Sequence, residues 1–151
     1  MCYHNHMKII LASDHAGFEL KENIKKFLLD NKYEIEDVGA FTYDENDDYP
    51  QYMHKAGELV SESDGRDKAI IFGGSGQGEA MVANKVKGIR ATEWYGGNMD
   101  IIKLSREHND ANVLSIGARF VSLEEAKKAI ELWLHTDFSG EERHKRRIKE
   151  I

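Results

Sequence analysis

The chain has 151 residues, one domain's worth of length, and 40% of them are apolar, enough for a real core without covalent staples. Its 21 Lys and Arg against 27 Asp and Glu leave a formal charge of −6, which excludes a general nucleic-acid binder built on a basic stripe. A single cysteine, Cys2, excludes an intrachain disulfide framework, a thiolate zinc site and a Cys-x-x-Cys redox pair. With no apolar run near the ~18–20 residues of a membrane span and no signal-peptide pattern, the expectation is a soluble, cytoplasmic chain.

Residues 1–6 fit no periodic element and precede a second methionine, Met7. They read as a tag scar or start-site extension, whose His4 and His6 would bind a metal only adventitiously, and the domain proper is 7–151. Lys8 to Ser13 is an apolar run that predicts a buried strand. Leu20, Ile24, Phe27 and Leu28 then recur at helical spacing as far as Asp30 and Asn31. Glu34 to Val38 is a second short strand that ends at Gly39. A polar stretch from Tyr43 to Tyr49 leads to Pro50 and a helix over about 50–63. Lys68 to Phe72 is the third strand, running into Gly73-Gly-Ser-Gly-Gln-Gly78 and a helix from near Glu79. Ile89 to Glu93 and Val113 to Ile116 are the fourth and fifth strands, with a helix between them. Leu123, Ala126, Ile130 and Trp133 mark a further helix, and the segment from Ser139 to Ile151 is a short tail helix.

Strands alternating with helices at this spacing imply βαβ units and a parallel sheet covered on both faces. The expected architecture is α/β: one doubly wound, Rossmann-like domain with a five-stranded parallel sheet and a C-terminal tail helix. Ligands should bind at the carboxyl ends of its strands.

The glycine loop 73–78 joins a strand to a helix, where backbone N–H groups can face an anion. Three known loops fail there. A P-loop needs Lys-Ser/Thr after Gly78, where Glu79-Ala80 stands, and a carboxylate would repel a triphosphate. A dinucleotide fingerprint begun at Gly74 meets Glu79 in place of its third glycine, although Glu93 lies 19 residues on from Gly74. A hydrolase elbow fails at Gln77. What remains is a nest of donors beside Glu79, whose ionised form the helix dipole favours. Glu79 reads as a helix cap taken alone, but beside the nest it suits proton abstraction next to a carbonyl.

Asp14 and His15 follow the first strand at the same sheet edge, as cap residues or as functional groups. Arg106 to Asn109 precede the fifth strand and Arg119 follows it; His108 reads as a loop residue. Arg143 and Arg147, four apart, share one helix face with His144 beside them, a solvated face or a phosphate clamp. The run Asp44 to Asp48 is not a calcium loop, because its sixth and twelfth positions are Tyr49 and Lys55 instead of Gly and Glu.

Several of these segments together are similar to a known family. Ser-Asp-His-Ala-Gly-Phe-Glu-Leu-Lys (13–21), Asp-Tyr-Pro (48–50), Gly-Gly-Ser-Gly-Gln-Gly-Glu (73–79), Ala-Asn-Lys (83–85), Gly-Ile-Arg-Ala (88–91), Arg-Glu-His-Asn (106–109) and Arg-His-Lys-Arg-Arg (143–147) resemble ribose-5-phosphate isomerase type B, with the related galactose-6-phosphate isomerase subunits. The resemblance runs from Lys8 to the C-terminus in register. It implies an aldose–ketose isomerase that works through a cis-enediolate without metal or other cofactor. Many members carry a cysteine base at the exit of the third strand. Gly73 stands there in this chain, so it resembles the branch in which the glutamate, here Glu79, is the base.

By the same resemblance His108 would open the furanose ring with Asp14 assisting. Ser75 and the backbone of Gly74, Gly76 and Gly78 would hold the enediolate oxygen. His15, Arg119, Arg143 and Arg147 would bind phosphate, Asn109 would meet sugar hydroxyls, and Tyr49 would stand near the pocket. Members are homodimers or dimers of dimers with shared sites, which the arginine-bearing tail helix suits. The remaining alternatives are a six-carbon substrate such as allose or galactose 6-phosphate, a non-catalytic sugar-phosphate-binding domain, and a nucleotide-binding α/β protein.

Overall fold

From Lys8 to Ser13 (β1) successive side chains fall on opposite faces of a sheet: Ile9 and Leu11 enter one apolar cluster, Ile10 and Ala12 the other. A strand apolar on both faces belongs inside a parallel sheet, and β1 lies between two parallel neighbours. The computed structural model describes residues 6–151; the expected extension over 1–6, with Cys2 and His4, lies outside the described residues except for the exposed His6.

After β1 a single 3-10 turn (His15–Gly17), which the sequence pattern does not announce, leads into α1 (Phe18–Asp30). There follow β2 (Glu34–Asp37), α2 (Tyr49–Glu62), β3 (Lys68–Gly73), α3 (Gln77–Ala83) and β4 (Ala91–Trp94). The chain ends with α4 (Asp100–Asn109), β5 (Val113–Gly117), α5 (Leu123–Leu134) and α6 (Glu142–Lys149). The sheet has five parallel strands in the order β2-β1-β3-β5-β4. Ile24 and Leu28 of α1, Ile102 of α4 and Ile130 and Trp133 of α5 cover one face; Met53, Ala56 and Val60 of α2 and Ala83 of α3 cover the other. The expected doubly wound α/β architecture is the one observed.

Three local differences have physical causes. β4 begins at Ala91, two residues later than its apolar pattern, because the two residues before it are engaged elsewhere: Ile89 N–H closes a turn onto Val86 O at 3.1 Å, and Arg90 N–H donates to the Asn112 side chain Oδ1 at 2.8 Å. α3 starts at Gln77 rather than near Glu79, because Gly76 adopts a left-handed φ of 82° and lets the chain turn into the helix at once. His108 lies in the last turn of α4, not in a loop.

The strand order sets the place of function. From β1 the chain moves outward to β2 and returns to β3 on the other side, so the connections after β1 and β3 leave in opposite directions and open a crevice between their carboxyl ends.

Candidate active site

Two turns border this crevice. Asp14 ends the β1 exit; its buried carboxylate accepts from Gly17 N–H at 3.2 Å and so caps the 3-10 turn. His15 follows, and both its backbone N–H (3.1 Å) and its ring Nδ1 (2.8 Å) lie against Asp47 Oδ1.

Opposite stands the glycine loop. Ser75 Oγ accepts from Gln77 N–H at 3.2 Å, which leaves the hydroxyl proton to donate. Ser115 Oγ donates to Gly76 O at 2.7 Å and fixes the loop to β5. The carbonyl of Gly76 also receives the first helical bond, from Ala80 N–H, so the N–H groups of Gly78 and Glu79 precede the α3 ladder. The Tyr49 hydroxyl at the start of α2 lies 2.7 Å from where a Cβ on Gly78 would stand. Arg119 is exposed, donates its N–H to Gly74 O at 3.1 Å, and lays its guanidinium beside the Cα of Gly74.

Glu79 is the buried acid on the glycine-loop side, 5% exposed. Its carboxylate folds back over the exit of β3: a Cβ on Gly73 would stand 1.7 Å from Glu79 Oε1 and 2.0 Å from Cδ. Residue 73 must be glycine for the acid to lie there. Glu79 does not behave as a dipole-stabilised cap. Burial pushes its carboxyl above the ordinary range, Asp14 and Glu93 push it further, and its own backbone N–H opposes them. A seven-residue helix does not outweigh that desolvation. A carboxylate raised in this way is a stronger base than one in water.

Glycine at 73 therefore gives a direct test. Gly73→Ala keeps an ordinary backbone but drives Glu79 from its place, and an ångström of misplacement costs on the order of 10²-fold in rate. Steady-state kinetics on whichever substrate the parent turns over should give a kcat loss of that size with little change in KM; a kcat near that of the parent would show that the Glu79 position carries no chemistry.

The other predicted residues are elsewhere. His108 and Asn109 end α4 at the amino edge of the sheet, where Arg90, just before β4, donates from Nε to Asn109 O at 3.0 Å. β5 runs five residues from that edge to the carboxyl edge, roughly 17 Å at strand rise. Within one chain, then, His108 and Asn109 do not meet Glu79, Ser75 or Asp14. Beside α4 stands α6, and its buried His144 stacks on His108 with centroids 4.3 Å apart and planes 19° apart. His144 Nε2 is 3.1 Å from Glu141 Oε2 without hydrogen-bond geometry; burial, followed by the neighbouring His108, lowers its pKa. Arg143 and Arg147 on the same helix are exposed. The site residues thus fall into two halves at opposite sheet edges.

Sequence reasoning did not single out Asp47, seen only as one acid in a run, or the stacking role of His144. No spacing signal marks either one: Asp47 reaches His15 across 32 positions and His144 reaches His108 across two helices. Among the described residues Asp14, His15 and Asp47 bring metal-ligand atoms within 4.8 Å of one another. In this geometry Asp47 is engaged by His15 and raises its pKa, an arrangement that favours an imidazolium facing an anion over a neutral ligand facing a cation.

The ribose/galactose isomerase family model matches residues 9–151. The chain belongs to that family. Among relatives of this isomerase, ribose-5-phosphate isomerase B from Mycolicibacterium paratuberculosis is 41% identical over 144 residues, 94% of this chain and 87% of the relative. The Escherichia coli protein of the same name is 38% identical, over 95% and 93%. A crystal structure of ribose-5-phosphate isomerase B from Mycoplasma genitalium with bound ribulose 5-phosphate superposes with a TM-score of 0.90 at 36% identity, covering 95% of this chain and 93% of that one. The isomerase also contains, among its described residues, no helix long and apolar enough to cross a membrane.

Proposed function

We propose that this chain is a cytoplasmic ribose-5-phosphate isomerase that interconverts ribose 5-phosphate and ribulose 5-phosphate through a cis-enediolate, with no metal in the reaction. One observation carries the mechanism: the Glu79 carboxylate occupies the volume at the exit of β3 that any side chain at 73 would need, beside the donors of the glycine loop.

The chemistry follows from what each group can do. Ring opening needs a proton on the ring oxygen and one taken from the anomeric hydroxyl; His108 exchanges these with help from Asp14. In the open-chain aldose Glu79 takes the proton from carbon-2. The electron pair forms the carbon-1 to carbon-2 double bond, and negative charge moves to the carbonyl oxygen. Ser75 and the N–H groups of the loop from Gly74 to Gly78 stabilise it there, and removing one such donor typically costs ~10²–10³ in rate. A proton passes between the two enediolate oxygens, and Glu79 returns its proton to carbon-1.

Phosphate anchors the substrate through His15 and Arg119 with Arg143 and Arg147, Asn109 binds sugar hydroxyls, and Tyr49 closes the wall beside Gly78. Because the two halves lie at opposite sheet edges, a complete site takes Asp14, Ser75, Glu79 and Arg119 from one copy. It takes His108, Asn109, Arg143 and Arg147 from the next, in a homodimer or a dimer of dimers.

The substrate is tested by assaying chelator-treated protein on ribose 5-phosphate, allose 6-phosphate and galactose 6-phosphate in parallel. The expected order places the five-carbon phosphate highest in kcat/KM. A higher value on a six-carbon phosphate would reassign the substrate, and binding without turnover on all three would leave a sugar-phosphate-binding domain.

A further inference from the structure

The acidic run Asp44 to Asp48 has no place in the mechanism above, yet one of its members is held in an unusual way. Asp44 Oδ1 accepts from Asn46 N–H at 3.0 Å, and Asp44 O accepts from Asp47 N–H at 3.1 Å. The run is thereby wound into a tight turn that carries its fourth residue inward. Asp44, Glu45 and Asp48 are exposed, whereas the Asp47 side chain is only 3% exposed. Its Oδ1 takes both the backbone N–H and the ring Nδ1 of His15, and its Oδ2 is buried without a hydrogen-bond partner.

A buried carboxylate with a bare oxygen opposes folding unless a positive charge compensates it. The imidazole of His15 is the group placed to do so. Its Nδ1 is committed to Asp47, so Nε2 lies on the opposite edge of the ring, directed away from the acid. We infer that Asp47 is a positioning residue of the phosphate subsite, whose carboxylate orients the His15 ring and supplies the counter-charge that lets it meet the substrate phosphate as a cation. The inference rests on the reading of His15 as a phosphate ligand.

The surroundings of His15 agree in sign. Its pKa is raised above 6.5, first by the hydrogen bond to Asp47 and also by the charges of Asp14 and Asp47, against burial and Arg119. The Tyr43 ring stands edge-on at 6.1 Å and adds no full charge. The pair favours a charge-assisted hydrogen bond to phosphate at higher pH than an isolated imidazole would, and Asp47→Asn removes the counter-charge while keeping the shape.

The test combines a spectrum with kinetics. The ring of His15 is titrated by NMR in the parent and in Asp47→Asn, and KM for ribose 5-phosphate is followed from pH 6 to pH 8.5 in both, with Asp47→Glu and His15→Asn alongside. The ratio of variant to parent KM cancels the titration of the substrate's own phosphate. In Asp47→Asn the His15 pKa should fall, and KM should rise about tenfold or more at pH 8 with kcat nearly unchanged. The KM penalty should fade toward pH 6, and Asp47→Glu should recover part of it. A KM for Asp47→Asn equal to that of the parent at every pH overturns the role of Asp47 if His15→Asn raises KM; if His15→Asn also leaves KM unchanged, the phosphate reading of His15 fails with it. A rise in KM that is the same at all pH values, with an unshifted His15 titration, reduces Asp47 to loop structure and likewise overturns the inference.

Discussion

Glu79→Gln lowers kcat by more than about two decades while KM stays within a few-fold, because a general base contributes ~10²–10⁴ and acts mainly in the transition state. Glutamine keeps the shape over Gly73 and the hydrogen-bonding ends, so only the proton acceptor is lost. The same substitution carries a stability signature of opposite sign. Folding raises the Glu79 pKa above its ordinary value of 4.5, so between that value and the raised one the folded chain binds more protons than the unfolded chain. Stability associated with this group is therefore fully present below pH 4.5 and lost as pH rises through the folded pKa. Above the folded pKa the parent holds an ionised, buried carboxylate, and there Glu79→Gln should melt at the same temperature or higher; the difference should vanish on acidification. A variant that is less stable at pH 7 and equally active would remove both the base and its energetic origin.

The second large effect concerns the division of the site. Glu79→Gln disables the carboxyl-edge half and His108→Asn the amino-edge half, and each pure protein should be nearly inactive. When the two are mixed and allowed to exchange subunits, a mixed dimer has one site with both defects and one with neither. Under random reassortment activity should return to about a quarter of the parent's, since half the dimers are mixed and each has one intact site of two. Recovery after exchange, absent before it, is the expected result. No recovery, with exchange verified by mass, would mean that both residues serve the same copy, despite the length of β5 between them.

Much of this organisation is legible in the sequence because it is local. Strands such as β1, β3 and β5 are apolar on both faces, and the order of strand, glycine loop and helix points to the carboxyl edge before any coordinates are known. Glu79 stands out because two phosphate-loop patterns, the P-loop and the dinucleotide fingerprint, fail at it. Its raised pKa is not legible. The helix-dipole argument has the opposite sign, and only the fold of the side chain over Gly73 reveals the burial that wins. Side-chain substitution for backbone is equally hidden, so the Asn112 side chain takes Arg90 N–H out of the strand and β4 starts late without any change in its apolar pattern. The Asp47–His15 and His144–His108 pairs are contacts between distant segments, and the assignment of His108 to one sheet edge depends on where α4 ends.

The central claim is that a fixed carboxylate moves a proton between carbon-1 and carbon-2 of a sugar phosphate. Proton NMR of ribose 5-phosphate with the purified protein, in heavy water with a chelator present, tests it most directly. Ribulose 5-phosphate that appears with deuterium at carbon-1 is the predicted result, since the carboxylic acid formed at Glu79 has the life of the enediolate in which to trade its proton with solvent. No ribulose 5-phosphate at all would contradict it, as would protium alone at carbon-1 together with undiminished turnover by Glu79→Gln.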